Sequence, residues 1–290
     1  MKRYSRFLLL AIVFSLLVFP VSALADAIAG DVIVTLGEDL SEDQKRQLLN
    51  EMGVSEDIEP VYVTNAEEHE YLGDLISKAQ IGTRAISSSK ITIGEPGSGL
   101  HVETNNITWV SEEMYANALI TAGVKDAEIY VTAPFAVSGT AALTGLIKAY
   151  EITADIEIPE EQKRVANEEM VKTAELGDKF GMDKANELMT TIKEEIAKNP
   201  PETEDDLRDL IRRIAEQLGI ELTDEELNGL VSLFNRMKDL NIDWDQVTSQ
   251  LAKVRDNLGE FLNREETQSF IQRVIDFFIS IIDSIRSWFN

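Results

Sequence analysis

The sequence predicts a chain in two parts: an α+β or α/β domain with a mixed sheet at residues 26–152, then an all-α helical bundle at residues 159–290. Before residue 151, short β-branched runs alternate with helix-like segments and with Gly/Ser turns. After Pro159, nearly every segment has the apolar periodicity of an amphipathic helix. A strand–helix–strand–helix pattern also recurs within the first part, which predicts that this domain is duplicated.

The first part begins with a strand and a capped helix. Apolar side chains alternate along residues 32–36, as in a strand with one buried face. Ser41 and Gln44 have the spacing of a capping box, and Gly53 is a natural helix end. These signals predict a strand followed by a helix of about three turns.

Further along, residues 61–63 predict a second strand, and Asn65 with Glu68 predicts the capped start of the next helix. Two apolar runs then flank the Gly-containing segment 94–99. This arrangement predicts a β-hairpin with a long loop over residues 90–102.

The duplication is predicted from two matched segments. Ser and Glu stand at the same distance before Gly-Val in residues 41–54 and in residues 111–124. Each segment is followed by a strand that contains Tyr-Val-Thr, at residues 62–64 and 130–132. The alternative interpretation is that any capped helix ending at glycine shows such residues. The shared Tyr-Val-Thr favours duplication.

The second part is predicted as a bundle because its helices are capped and each has one apolar stripe. Three of its helices open with a capping pair: Thr203 with Asp206, Thr223 with Glu226, and Asp243 with Gln246.

Residues 1–25 have the features of a secretory signal peptide. Lys2, Arg3 and Arg6 precede an apolar run, Phe7–Phe19, that is too short to span a bilayer. Small residues stand at the two positions that define cleavage after Ala25. We expect an extracytoplasmic or secreted protein whose mature chain begins at Asp26.

Composition excludes several classes of function. The chain has 27 basic and 52 acidic residues, a formal charge of −25. The leader holds three basic residues and no acidic one, so its removal takes this charge to −28. Such an acidic protein repels nucleic acid.

The chain has no cysteine, which excludes disulfides and thiolate metal sites. We expect no metal and no cofactor: the acidic segment that begins at Asn241 lacks the Gly and Glu of a calcium loop.

Two polar segments that contain glycine are the candidate ligand site. Hydroxyls and backbone N–H groups at the start of a helix can hold an anion, but neither segment has the spacing of a phosphate loop. The segments are residues 81–89 and 138–145, and for the second of them close helix packing through small residues is the alternative interpretation. The candidate ligand-binding residues are Arg84, Ser87, Ser138, Gly139 and Thr140.

The last predicted helix has an unusually wide apolar face. This face either completes the bundle core or contacts an envelope protein or polymer, a second copy of the chain, or the membrane surface. Its residues are Phe270, Val274, Phe277, Phe278, Ile281, Ile285 and Trp288.

Four stretches, residues 30–37, 79–89, 131–135 and 138–145, resemble the secreted YpuA-type proteins of Gram-positive bacteria, a family classed as a domain of unknown function. The resemblance covers nearly the whole mature chain. It implies an extracytoplasmic protein that serves the cell envelope, and it implies no catalytic residues.

From these observations we expect a non-enzymatic envelope protein that binds or scaffolds, with the terminal helix as its contact surface. The alternative is an extracytoplasmic hydrolase or small-ligand-binding enzyme that uses Arg84 and residues 138–140.

Overall fold

A computed structural model describes residues 29–154 and 156–263. Within these ranges the chain folds into a five-stranded mixed sheet with ten helices. The strands are β1 (Val32–Gly37), β2 (Val61–Val63), β3 (Ser88–Ile93), β4 (Leu100–Ile107) and β5 (Ala127–Val137). The helices are α1 (Glu42–Glu51), α2 (Asn65–Leu72), α3 (Lys78–Ile81), α4 (Glu112–Ala122), α5 (Thr140–Ala154), α6 (Glu160–Phe180), α7 (Met182–Lys198), α8 (Glu204–Gln217), α9 (Asp224–Asp239) and α10 (Trp244–Asn263).

Several predicted helix starts are confirmed. Ser41, Thr203 and Thr223 each accept a hydrogen bond from the backbone three residues later, and each has the reciprocal bond of a capping box. Asp243 also accepts from the backbone N–H of Gln246, at 3.0 Å. Satisfying these otherwise unpaired N–H groups fixes where each helix begins.

The sheet has the strand order β2-β1-β3-β5-β4. β3 is antiparallel to both of its neighbours, whereas the β1–β2 and β4–β5 pairs are parallel. Thr35 of β1 lies opposite Ser89 of β3, and their hydroxyl oxygens are 2.7 Å apart. The mixed sheet predicted from the sequence is therefore present.

The predicted hairpin over residues 90–102 is wrong. β3 and β4 do not pair, because β5 lies between them and pairs with both. The loop between β3 and β4 instead crosses the start of β5, where the carboxylate of Asp126 accepts hydrogen bonds from the N–H groups of Gly97 and Gly99. Both glycines have positive φ, which favours glycine at those positions.

The two faces of the sheet are covered by different helices. Val34 and Lys90 share one face, where Val34 packs in a core cluster with Leu48 of α1. Ile91 points to the opposite face and packs in a cluster with Leu119 of α4. The two predicted units thus share their element order, β1-α1-β2-α2 and β4-α4-β5-α5, but α1 and α4 lie on opposite faces.

The helical part packs directly on the sheet. In α6, Ala166 and Met170 belong to the same core cluster as the sheet. Val165 and Leu176 of the same helix belong to a second cluster, formed with α7, α8 and α9. Because α6 contributes to both cores, the predicted arrangement of two separate domains is not confirmed.

A fully buried ion pair fixes α4, α6 and α7 against one another. Lys193 Nζ lies 2.7 Å from Glu169 Oε1, and neither side chain is exposed. Lys193 also donates to the carbonyl oxygen of Asn117, at 3.1 Å, and the Thr121 hydroxyl donates to the other oxygen of Glu169. Buried charges need such partners because desolvation otherwise penalises them strongly.

Across the described residues, none of the helices combines the length and apolar character needed to cross a membrane. The predicted signal peptide, residues 1–25, and the predicted terminal contact face, residues 270–288, lie outside the described residues.

We expect Lys193→Met to lower the free energy of unfolding by about 3–5 kcal/mol, because it leaves Glu169 buried and unpaired. Urea denaturation measures this loss. The double variant with Glu169→Leu should recover most of it, since apolar groups replace both charges. Lys172→Met is the control, because the Lys172–Glu175 pair is partly exposed and should contribute less than about 1 kcal/mol. A similar small loss in Lys193→Met would contradict this account.

Candidate ligand cleft

A cleft of about 510 Å³ lies where β4 and β5 end and α5 begins. One wall is formed by residues 108–109 and 135–141, and the other by residues 79–84 and 86–87. Glu68 of α2 also lines the cleft. We call this cavity the α5 cleft. The carboxyl ends of parallel strands are common ligand sites, because the chain leaves the sheet there and the loops diverge.

The structure brings all five predicted ligand residues together in the α5 cleft: Arg84, Ser87, Ser138, Gly139 and Thr140. Two segments more than 50 residues apart in sequence thus form facing walls. Arg84 is exposed, with its guanidinium carbon 5.9 Å from the centre of the Phe135 ring. Ser87 is buried, and its hydroxyl accepts a hydrogen bond from the N–H of Ala142 at 3.0 Å.

Gly139 allows the chain to pass close to α4 at the start of α5. Its φ is +99°, and a Cβ added there would lie 2.4 Å from the hydroxyl oxygen of Tyr115. That hydroxyl donates to the carbonyl oxygen of Gly139, at 2.6 Å. Any side chain at position 139 would therefore displace Tyr115, which is fully buried.

Sequence analysis did not identify Glu68 as a residue of this site. Its carboxylate is 1% exposed, and it accepts hydrogen bonds from Thr140 and from Asn65, each at 3.0 Å. Burial raises the pKa of Glu68 to about 7; the charge of Asp39 adds to this, and the two hydrogen bonds oppose it. This carboxyl is therefore close to half-protonated at neutral pH.

The prediction that Asn65 and Glu68 cap α2 is wrong. Thr64 is the cap, and it exchanges hydrogen bonds with Glu67 in a capping box. With the cap one residue earlier, Glu68 is free to point inward. The available sequence signal was its spacing of four residues before the buried Leu72, which places both on one helix face.

Three polar side chains form a chain of hydrogen bonds in the α5 cleft. The Thr140 hydroxyl donates to Glu68, and the Ser138 and Thr140 oxygens are 3.3 Å apart. While Glu68 is ionised, the Thr140 hydroxyl donates its proton to Glu68, so Ser138 is the donor in the second bond. The chain connects the buried carboxyl to a half-buried hydroxyl, so a ligand that contacts Ser138 is coupled to Glu68.

Charge and polarity define what the α5 cleft can hold. Arg84 supplies a cation at the rim, and the hydroxyls of Ser138 and Thr140 can donate or accept. Phe135 and Trp109 add aromatic surface. Over residues 29–154 and 156–263, no three His, Cys, Asp or Glu side chains lie close enough together to hold a metal ion. The arrangement therefore suits a small organic ligand with a polar or anionic group.

We expect Glu68→Gln to remove one pH dependence of stability. Because the folded pKa of about 7 exceeds the ordinary value of 4.5, the folded chain binds more protons between these values. Stability from this group is therefore lost as pH rises from 4.5 to 7. The free energy of unfolding of the unmodified chain should therefore fall by about 3 kcal/mol more than that of the variant between pH 4.5 and pH 7.5.

Urea denaturation at both pH values measures this difference. Glu70→Gln, on the same helix but exposed, is the matched control and should leave the pH profile unchanged. Parallel profiles for Glu68→Gln and the unmodified chain would mean that folding does not raise the pKa of Glu68.

The comparisons with known proteins agree with the predicted resemblance. Residues 36–254 match the family model described as "Protein of unknown function (DUF1002)". The chain is 57% identical over 283 residues to "Uncharacterized protein YpuA" from Bacillus subtilis (strain 168), covering 97% of this chain and 98% of that protein. No solved structure matches the chain. The family prediction made from the sequence is confirmed, and the chain belongs to the DUF1002 family of proteins of unknown function.

Proposed function

We propose that this protein is exported to the bacterial cell envelope and acts there by binding a small ligand in the α5 cleft, without catalysis. The observation that carries the proposal is the convergence of Arg84, Ser138, Thr140 and the buried Glu68 in one open cavity of about 510 Å³. Export is supported by the three-part signal pattern of residues 1–25.

The ligand class follows from the groups that line the α5 cleft. Arg84 favours an anionic group, and the exposed ring of Phe135 favours a flat apolar part. A second negative charge beside Glu68 is unfavourable while that carboxyl is ionised. An anionic ligand therefore binds together with a proton, and its affinity falls as pH rises through about 7.

We expect benzoate, a carboxylate on an aromatic ring, to bind about tenfold more tightly at pH 6 than at pH 8. This ratio is that of the protonated fraction of a group with a pKa of about 7. Quenching of tryptophan fluorescence measures the affinity, and Trp109→Phe tests whether Trp109 supplies the signal. Glu68→Gln should bind benzoate with no pH dependence in this range, and Arg84→Met should weaken binding at both pH values.

An affinity for benzoate that is independent of pH in the unmodified chain would contradict the coupling to Glu68. Equal affinity for benzyl alcohol, which lacks the anionic group, would contradict the role of Arg84. Absence of binding for both compounds would contradict the ligand class.

A second candidate function is hydrolysis, favoured by the chain of hydrogen bonds from Glu68 through Thr140 to Ser138. A carboxyl with a pKa near the operating pH suits a general base. Hydrolysis of p-nitrophenyl acetate separates the two functions. Turnover that disappears in both Glu68→Gln and Thr140→Val would establish the enzyme, whereas the binding proposal predicts no turnover that depends on these residues.

In this proposal, the two parts of the chain have different binding roles. The α/β part, residues 26–152, carries the α5 cleft, and the helical part, residues 159–290, carries a contact surface for an envelope partner, a second copy or the membrane surface. Support for this surface is the wide apolar face predicted from the sequence for the segment that contains Phe270, Phe278 and Trp288.

We expect the mature chain to begin at Asp26 and to sediment with the cells, and deletion of residues 270–290 to release it into the medium. Mass spectrometry of the N-terminus and immunoblots of cell and medium fractions measure both outcomes. Circular dichroism of the truncated chain is the control for folding. Unfolding of the truncated chain would show that the apolar face belongs to the core, and a cytosolic protein that retains Met1–Ala25 would contradict export.

A further inference from the structure

A second cavity, of about 220 Å³, lies between α2, α5 and α6. It shares no lining residue with the α5 cleft. We call it the α2–α6 cavity. Every residue of its lining except Ile147 carries a polar group; the lining consists of Glu67, Glu70, Tyr71, Thr144, Ile147, Lys148, Glu151, Lys163 and Asn167.

Two buried polar atoms of the α2–α6 cavity have no hydrogen-bond partner among the described residues. They are the hydroxyl oxygen of Thr144, which is 4% exposed, and the side-chain oxygen of Asn167, which is 1% exposed. The orientation of the Asn167 amide is fixed, because its nitrogen donates to the carbonyl oxygen of Lys163 at 2.8 Å. The unpaired atom is therefore an acceptor. Such atoms are rare in folded proteins, since burial of a polar atom without a partner is unfavourable.

The two lysines of the α2–α6 cavity have donors to spare. Lys148 bonds to Glu67 and to the carbonyl oxygen of Tyr62. Lys163 lies 3.0 Å from Glu151 and 2.8 Å from Glu160. An ammonium has three N–H groups, so each lysine keeps one. Burial lowers the pKa of Lys163, but its two carboxylate partners outweigh burial and raise the pKa above its usual value. Lys163 is thus a cation at neutral pH.

These groups favour a ligand with both signs of charge. The spare lysine donors attract an anionic acceptor, and the buried oxygen of Asn167 lacks a donor; the Thr144 hydroxyl can serve either role. A metal ion does not fit, because two ammonium groups line the cavity. The volume is larger than one bound water needs and is of the order of one small organic molecule.

We propose that the α2–α6 cavity is a second binding site, and that it takes a small zwitterion of the amino-acid type. The carboxylate of the ligand accepts from Lys148 and Lys163, and its ammonium donates to the unpaired oxygens of Thr144 and Asn167. This site does not depend on the function proposed for the α5 cleft.

Thermal unfolding of the full mature chain with L-alanine tests the proposal. At ten times its Kd, L-alanine should raise the Tm by about 3 °C. Propionate, which lacks the ammonium, and ethylamine, which lacks the carboxylate, should each leave the Tm unchanged at the same concentration. No shift with L-alanine would overturn the proposal, and so would an equal shift with either of the other compounds.

Thr144→Val is the decisive variant, because it keeps the shape of the side chain and removes the unpaired hydroxyl. Without ligand, its Tm should be equal to or higher than that of the unmodified chain. Addition of L-alanine should no longer raise the Tm of this variant. Thr191→Val is the matched control, because the Thr191 hydroxyl bonds to Glu187 on the surface of α7, outside the cavity, and it should keep the full shift. A shift that persists in Thr144→Val would place the ligand elsewhere.

Discussion

β5 pairs along both of its edges, and the position of the α5 cleft depends on this pairing. Its antiparallel pairing with β3 covers residues 127–132, and its parallel pairing with β4 extends to Val137. β5 continues past Ser88, the first residue of β3, which pairs with Thr132. Residues 138–140 therefore lie beyond the edge of the sheet. The close approach of Gly139 to Tyr115 then starts α5 at a fixed point, opposite the loop that holds Arg84. Pairing and packing within the chain thus place the polar groups of the α5 cleft.

The two buried glutamates of the described residues, Glu68 and Glu169, have different surroundings. Glu169 is paired with Lys193 in a closed core and has no access to solvent. Glu68 has only neutral hydrogen-bond donors, Asn65 and Thr140, and it faces an open cleft. A cation would have kept Glu68 ionised. Neutral donors and burial instead bring its pKa to about 7, the range in which a carboxyl can exchange its proton during binding.

Local signals predicted most of the helices and the mixed sheet, because caps and apolar periodicity act within a few residues. The capping boxes that begin at Ser41 and at Thr203 are examples of such local signals. The hairpin prediction failed because neighbouring strands in sequence need not pair: β5, which comes later in the chain, competes for the edge of β3. No local pattern reports such competition. Packing of α6 in two cores likewise depends on contacts between distant segments.

The candidate ligand residues could be proposed from sequence because glycine and hydroxyl side chains mark loops at strand ends. Their convergence in one cavity could not, since it depends on how the sheet orders its strands. Glu68 was not predicted as a residue of the cleft for a different reason. Thr64 and Asn65 can each cap a helix, and choosing between them decides which of two adjacent glutamates faces inward. The predicted cap was one residue too late, and Glu68 was therefore assigned to capping and not to the α5 cleft.

The adjacent glutamates of α2 also connect two regions of the molecule. Glu67 lines the α2–α6 cavity, and Glu68 lines the α5 cleft. The first turns of α5 do the same, with Thr140 on one side and Thr144 on the other. A small displacement of α2 along α5 would therefore reshape both cavities at once. If a ligand in one cavity displaces α2 in this way, thermodynamic reciprocity requires that a ligand in the other cavity alters affinity in the first by the same factor.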